Sequence, residues 1–245
     1  MDIVEQATKI IDEAQKRNVV LRALGGVAIG MRCPSAKHRS LTRTYADIDL
    51  VGHAKQDRDI KNILTDMGFE PNKRFNALHG RKRLQFWDTK KKIDIDIFLD
   101  VFEMCHKLDL KNRIEIDEYT VPLEDLLITK LQIVKINEKD IRDTIAILND
   151  HEFGKKDNDM IDIGYIAKLC SEDWGLYKTL TTNAEKISKF VDDYALKDEH
   201  MRTIKTRIKT FAKRLEDEPK SMRWRMRDRV GEKVKWYEDV EEVRR

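Results

Sequence analysis

The sequence predicts an α+β fold, a mixed sheet with flanking helices followed by an all-helical C-terminal region. Three observations predict it. Short apolar runs bounded by glycines or charged turns alternate with helical periodicity through the first half of the chain. No run after Tyr119 shows strand alternation. A chain of 245 residues with 40% hydrophobic content can bury a core without disulfide staples. The boundary falls between residues 1–120, an α/β core, and residues 121–245, a helical region.

Ile3, Val4, Ala7, Ile10, Ile11 and Ala14 recur at spacings of three and four, which predicts an amphipathic helix ending near Asn18. Residues 19–24 read as a strand broken by Gly25-Gly26, and 27–31 as a short helix. A polar, basic loop with Pro34, Lys37, His38, Arg39 and Arg43 leads into a second strand at 46–51. Residues 57–67 have helical periodicity; 84–87, 93–99 and 113–119 read as further strands. From Pro122 the pattern turns helical at 123–136, 140–148 and 161–169, and then in long charged segments to the C-terminus.

Charged residues make up 38% of the chain, well above the roughly 25% of an average soluble protein. The net charge is only +3, so any nucleic-acid footprint must be local. Cys33, Cys105 and Cys170 are odd in number and lack CxxC spacing, which argues against a disulfide framework or zinc site and for reduced thiols. Asp2 and Glu5 stand where an export signal would be basic, and no run approaches the ~18 apolar residues of a membrane span. A cytoplasmic protein without membrane contact is expected.

Asp47-Ile48-Asp49 lies in the second strand. Alternation projects both carboxylates from one face, ~7 Å apart, and turns Ile48 and Leu50 to the other. Such oxygen ligands suit Mg²⁺, which takes one or two carboxylates and completes its shell with water and phosphates; a solvated face of an acid-rich chain is the plainer alternative. Asp94-Ile95-Asp96 repeats the pattern in the strand 93–99 and offers the third carboxylate of a two-metal site. Gly25-Gly26, between a strand and a helix, lets backbone N–H groups approach a phosphate, although most double glycines are simply turns. The motif is neither a Walker loop nor a dinucleotide fingerprint.

Together the strand, Gly25-Gly26, the short helix, the basic loop and Arg43-Thr44-Tyr45-Ala46-Asp47-Ile48-Asp49-Leu50 resemble the active-site signature of the polymerase-beta-type nucleotidyltransferases. The branch most resembled is the AbiEii-like minimal nucleotidyltransferases, whose helical part has a Lys followed by Lys-Asp-x-x-Asp. Lys130 and Lys139-Asp140-Ile141-Arg142-Asp143 match it, and the resemblance spans residues 19–148.

The resemblance implies a nucleotidyltransferase-fold sheet and a Mg²⁺-dependent transfer of NMP from an NTP to a hydroxyl of RNA, protein or a small molecule. It also implies that Asp47, Asp49 and Asp96 are catalytic and bind the metal, and that Gly25, Gly26, Arg43 and Lys130 bind the nucleotide. The third acid lies between Asp94 and Asp96; Asp96 is chosen because Asp96-Ile97-Phe98-Leu99-Asp100 fits the family's acid followed by apolar residues, with Asp100 a distant third. The family's turn usually reads Gly-Ser where this chain has Gly26-Val27, which keeps open a weakly catalytic or regulatory, antitoxin-like binder of nucleotide or RNA.

Lys130 also falls within the apolar stripe of Leu123, Leu126, Leu127, Leu131, Ile133 and Val134. An ammonium there needs an anion, whether a phosphate or a structural Asp, or a path by which to snorkel. Asp140 and Asp143 project away from the Ile141, Ile145, Leu148 stripe and read by geometry as a solvated face. Arg43 is equally a phosphate clamp or an ordinary surface arginine. His106 beside Cys105 reads as a histidine without ligand partners. Residues 197–245 carry an excess of about five positive charges, with Arg223, Arg225, Arg227 and Arg229 interleaved with Trp224 and Met226. That pattern could grip a nucleic acid, but Glu232, Glu238, Asp239, Glu241 and Glu242 argue equally for a helix laced by salt bridges.

Overall fold

The computed structural model describes residues 2–89, 92–155, 157 and 159–239, so Glu241 and Glu242 lie outside the described residues. The chain forms two compact units. The first comprises Met1–Pro34, Arg43–Phe102 and Leu108–Pro122; the second comprises Ser35–Thr42, Glu103–Lys107 and Leu123–Arg245.

The first unit opens with α1 (Ile3–Lys16), β1 (Leu21–Ala23) and α2 (Gly25–Arg32), followed by β2 (Asp47–Gly52), α3 (Asp57–Asp66), β3 (Glu70–Pro71) and α4 (Lys73–His79). β4 (Arg83–Asp88) and β5 (Ile93–Leu99) complete a five-stranded sheet of order β1-β2-β5-β4-β3. In this sheet β2 and β5 are parallel, and the other neighbours are antiparallel. Alternation gives the sheet one apolar face, where Leu21, Ala23, Ile48, Leu50, Leu84, Phe86, Ile95 and Ile97 are buried. The buried stripes of α1 (Ala7, Ile10, Ile11, Ala14) and α3 (Ile60, Ile63, Leu64) supply the rest of this core. β6 (Val101–Glu103) and β7 (Lys107–Asp109) form a separate two-stranded ladder.

The expected strand at 113–119 does not form; the segment is a run of turns and bends. Its alternation is real, but Ile114 is buried while Ile116 is exposed, and side chains take the backbone groups that a ladder would need. Asp117 Oδ1 accepts from the Tyr119 and Thr120 amides, while Arg22 and Gln15 donate to the Asp117 and Glu118 carbonyls. Among the described residues, a single parallel bridge from Ala23 to Thr120 is the pairing that follows this stretch. α4, which the sequence pattern did not announce, buries no residue. Asn72 caps it by accepting from the Phe75 amide, and Asn76 exchanges hydrogen bonds with the backbone of Gln85.

The second unit contains α5 (Leu123–Leu131), α6 (Glu138–Asp150), α7 (Ile163–Glu172), α8 (Trp174–Phe190), α9 (Asp198–Asp217) and α10 (Met222–Val230). Asn137, Asp162, Asp173 and Ser221 cap α6, α7, α8 and α10. α5 is not the amphipathic helix that its sequence suggests: every residue from Leu123 to Leu131 is buried, including Glu124, Asp125 and Lys130. It stops five residues earlier than expected, and the buried Asn183 amide takes the Leu131 and Ile133 carbonyls.

Candidate functional site

The in-register parallel pairing of β2 with β5 sets Asp47 opposite Asp94 and Asp49 opposite Asp96. Paired residues share a face of the sheet, so four carboxylates stand together on the face opposite the apolar core. Asp47 and Asp49 are half-buried and Asp96 is buried. Among the described residues, no three His, Cys, Asp or Glu side chains are gathered closely enough to hold a metal ion. The donor set is all oxygen, and Asp47 with Asp49 fits a hard cation that draws its remaining ligands from water and phosphate.

α2 begins at Gly25, against Asp49. The Leu24 amide donates to the Asp49 carbonyl at 2.9 Å, and Gly25 has φ +58°. A β-carbon at Gly25 would overlap the Asp49 carboxylate, so the glycine serves both a left-handed backbone and a close approach. The N-cap residue Leu24 offers no side-chain acceptor to this helix, whose N-terminus carries partial positive charge. At Gly26 a β-carbon would overlap the Arg43 guanidinium and the Tyr45 ring, and at Gly30 it would crowd Val4 and Tyr45. Tyr45 thus lies along a glycine groove of α2 with the Arg43 guanidinium 4.6 Å over its ring. Gly25, Gly26, Arg43, Asp47, Asp49 and Asp96 all belong to the sheet unit.

Sequence reasoning missed Arg83. Its Nε donates to Asp96 Oδ1 at 3.0 Å, and its guanidinium lies 4.7 Å over the Phe98 ring. The signal was available only through the β4–β5 register, which places Arg83 opposite Phe98. Asp100, the distant third acid, follows the end of β5 with φ +62°, and its carboxylate faces His53 Nδ1 at 3.3 Å. That left-handed backbone ends the alternation on which its candidacy rested.

Lys130 belongs to the helical unit. Its ammonium is 2.8 Å from Asp143 and 3.3 Å from Asp140, so the Lys and the two Asp of the sequence pattern form one ionic cluster. Asp143 is buried, which overturns the solvated-face expectation. His106 is not a nucleophile's partner: its Nε2 meets Thr179 Oγ1 at 2.8 Å, and burial lowers its pKa. Cys105 Sγ accepts from the Val134 amide. Arg39 of the basic loop lines an open cleft of about 730 Å³ together with Glu138, Arg142 and Tyr194, all within the helical unit.

In α10, Trp224 turns inward, where its ring meets Tyr177 edge-on, and Arg227 lies 4.6 Å over Trp174. Arg223, Arg225 and Arg229 stay exposed beside Met222 and Met226.

No protein-family model and no curated sequence matches the chain. Among solved structures, the chain is similar to the antibiotic-resistance factor ANT(2″)-Ia, studied in solution, at 17% identity and a TM-score of 0.38, over 59% of this chain and 82% of that one. A likeness of that size defines neither family nor activity. No helix among the described residues is long and apolar enough to cross a membrane.

Proposed function

We propose that the sheet unit carries a Mg²⁺-dependent nucleotidyltransferase site. The observation that supports this most is the in-register pairing of Asp47-Ile48-Asp49 with Asp94-Ile95-Asp96 on parallel strands, beside a helix that begins at a double glycine. Asp47 and Asp49 hold Mg²⁺, which offsets charge on the phosphates. The amides at Gly25 and Gly26 and the Arg43 guanidinium receive the triphosphate of an NTP. The acceptor hydroxyl, from RNA, protein or a small molecule, gives its proton to Asp96 as its oxygen bonds to the α-phosphorus and pyrophosphate leaves. Positioning and fixed charge supply the acceleration. Lys130 is a phosphate ligand on the resemblance alone, since its ammonium already has Asp140 and Asp143.

Calorimetry tests the binding half of this reading. Mg²⁺-dependent NTP binding by the full chain that is lost in Asp49→Asn is the expected result; NTP binding indifferent to both Mg²⁺ and Asp49 contradicts it. A second reading, a nucleotide- or RNA-binding regulator without turnover, draws on the engagement of Asp96 by Arg83 and on Val27 standing where a hydroxyl would help grip phosphate. It predicts the same binding and no transfer.

A further inference from the structure

α4 buries no residue, and a helix of seven residues has little stability of its own. Side chains fasten it to the sheet instead. Asn72 Nδ2 donates to Gln85 Oε1 at 3.1 Å, and Asn76 exchanges bonds of 2.8 and 3.0 Å with the Gln85 backbone. Gln85 is the cross-strand neighbour of Asp96 and shares its face of the sheet, so α4 stands on the side of the carboxylates. Phe75 turns inward, 5.9 Å from the Arg83 guanidinium. Helical spacing then puts Lys73, Arg74 and Leu78 on the outer side of α4, where all three are exposed.

Residues 72–87 contain Lys73, Arg74, Arg81, Lys82 and Arg83 and no Asp or Glu, in a chain whose charges nearly cancel. A merely solvated charged face mixes both signs, as α9 does. Toward the other end of β4, Trp87 is 38% exposed on the carboxylate side, opposite Asp94 on β5 and Glu70 on β3. The Asn72 amide donates to the Gln85 carbonyl at 2.9 Å, so α4 starts two residues from Trp87, about 7 Å along the strand. Two chemistries thus lie side by side. Phosphates are drawn to the cations of α4 and of the turn before β4, while the ring of Trp87, set among carboxylates, suits an uncharged base.

We propose that α4 and β4 form a docking surface for a single strand of nucleic acid, with phosphates on Lys73, Arg74 and Arg81 and a base stacked on Trp87. A duplex does not fit it, because its bases are already stacked on one another. The binding stands independently of any transfer. That the strand's terminal hydroxyl is the acceptor rests on the nucleotidyltransferase reading: its oxygen bonds to the α-phosphorus, its proton passes to Asp96 and pyrophosphate leaves.

The test is fluorescence anisotropy of labelled single-stranded RNA, single-stranded DNA and duplex RNA with the full chain, in EDTA and without NTP. At least one single strand should bind about tenfold or more tightly than the duplex, and the one that binds names the sugar. Lys73→Gln with Arg74→Gln should weaken binding and flatten the dependence of log Kd on log salt by about 1.4, the share of two phosphates on a single strand. Trp87→Ala should weaken binding by about tenfold without changing the salt slope, and Trp87→Phe should restore most of the loss. No binding of either single strand, equal binding of the duplex, affinity indifferent to these substitutions, or a loss in Trp87→Ala that Trp87→Phe does not restore overturns the proposal. Should Trp87→Ala fail to fold, the Lys73→Gln, Arg74→Gln variant decides through the salt slope, since both side chains are exposed. Label from an α-labelled NTP and Mg²⁺ should then enter the bound strand. Label that enters another acceptor instead overturns the acceptor role alone, and the absence of transfer to any acceptor overturns the nucleotidyltransferase reading while the docking surface stands.

Discussion

Lys130 and Asp143 form a buried ion pair: the ammonium and carboxylate are 2.8 Å apart, with side chains 10% and 3% exposed. Asp140 completes the cluster from one turn earlier on α6. Removing one member of a buried pair leaves an uncompensated charge, which costs far more than the pair is worth over an apolar replacement. Asp143→Ala should therefore lower the unfolding free energy by about 3 kcal/mol, and Lys130→Met with Asp143→Leu should recover most of it. Urea unfolding of the two variants against the parent checks both.

Gly25→Ala should be costly for two reasons that separate experimentally. Its left-handed backbone costs about 1–3 kcal/mol for a residue with a β-carbon, and the new methyl meets the Asp49 carboxylate. Gly68 shares the positive φ, at +88°, but a methyl placed there would meet nothing within 4 Å. Gly68→Ala should thus lose stability alone, while Gly25→Ala should lose stability and weaken Mn²⁺ binding.

His106 gives stability a defined pH dependence. Burial lowers its folded pKa below the ordinary 6.5, so the unfolded chain binds the proton more readily. Its contribution is present above 6.5 and is lost as pH falls from there through the folded pKa. Urea midpoints should drop between pH 7 and pH 5, and His106→Gln should flatten that share of the drop.

Cys33, Cys105 and Cys170 are all buried, and burial pushes the Cys170 thiol well above the ordinary cysteine range. A thiol reagent should react slowly with the native chain and take up three equivalents in denaturant. Fast labelling of Cys170 in the native protein would show that the helical unit opens readily around α7.

Most of the sheet unit was legible in the sequence because its strands alternate cleanly. Residues 93–99 are the strand, and Ile48 and Leu50 face the core as their spacing requires. The segment 113–119 misled for the opposite reason: its alternation lacks a neighbouring strand, and Asp117 satisfies the local amides instead. The pairing of the two acidic motifs, the bond from Arg83 to Asp96 and the burial of Asp143 depend on which elements become neighbours, and no spacing within one segment reports that. Gly26 shows the limit from another side. Its lack of a β-carbon admits Arg43 and Tyr45, a packing requirement that the sequence alone does not announce.

Nucleotidyl transfer at the acidic face is open to direct assay. The intact chain is incubated with each of four α-labelled NTPs, Mg²⁺, and host RNA, protein or small-molecule extract, in parallel with Asp47→Asn. Label should enter one class of acceptor, with release of pyrophosphate, and should disappear in Asp47→Asn. Label transfer that survives Asp47→Asn, or the absence of transfer with every nucleotide and acceptor, would contradict the proposed function.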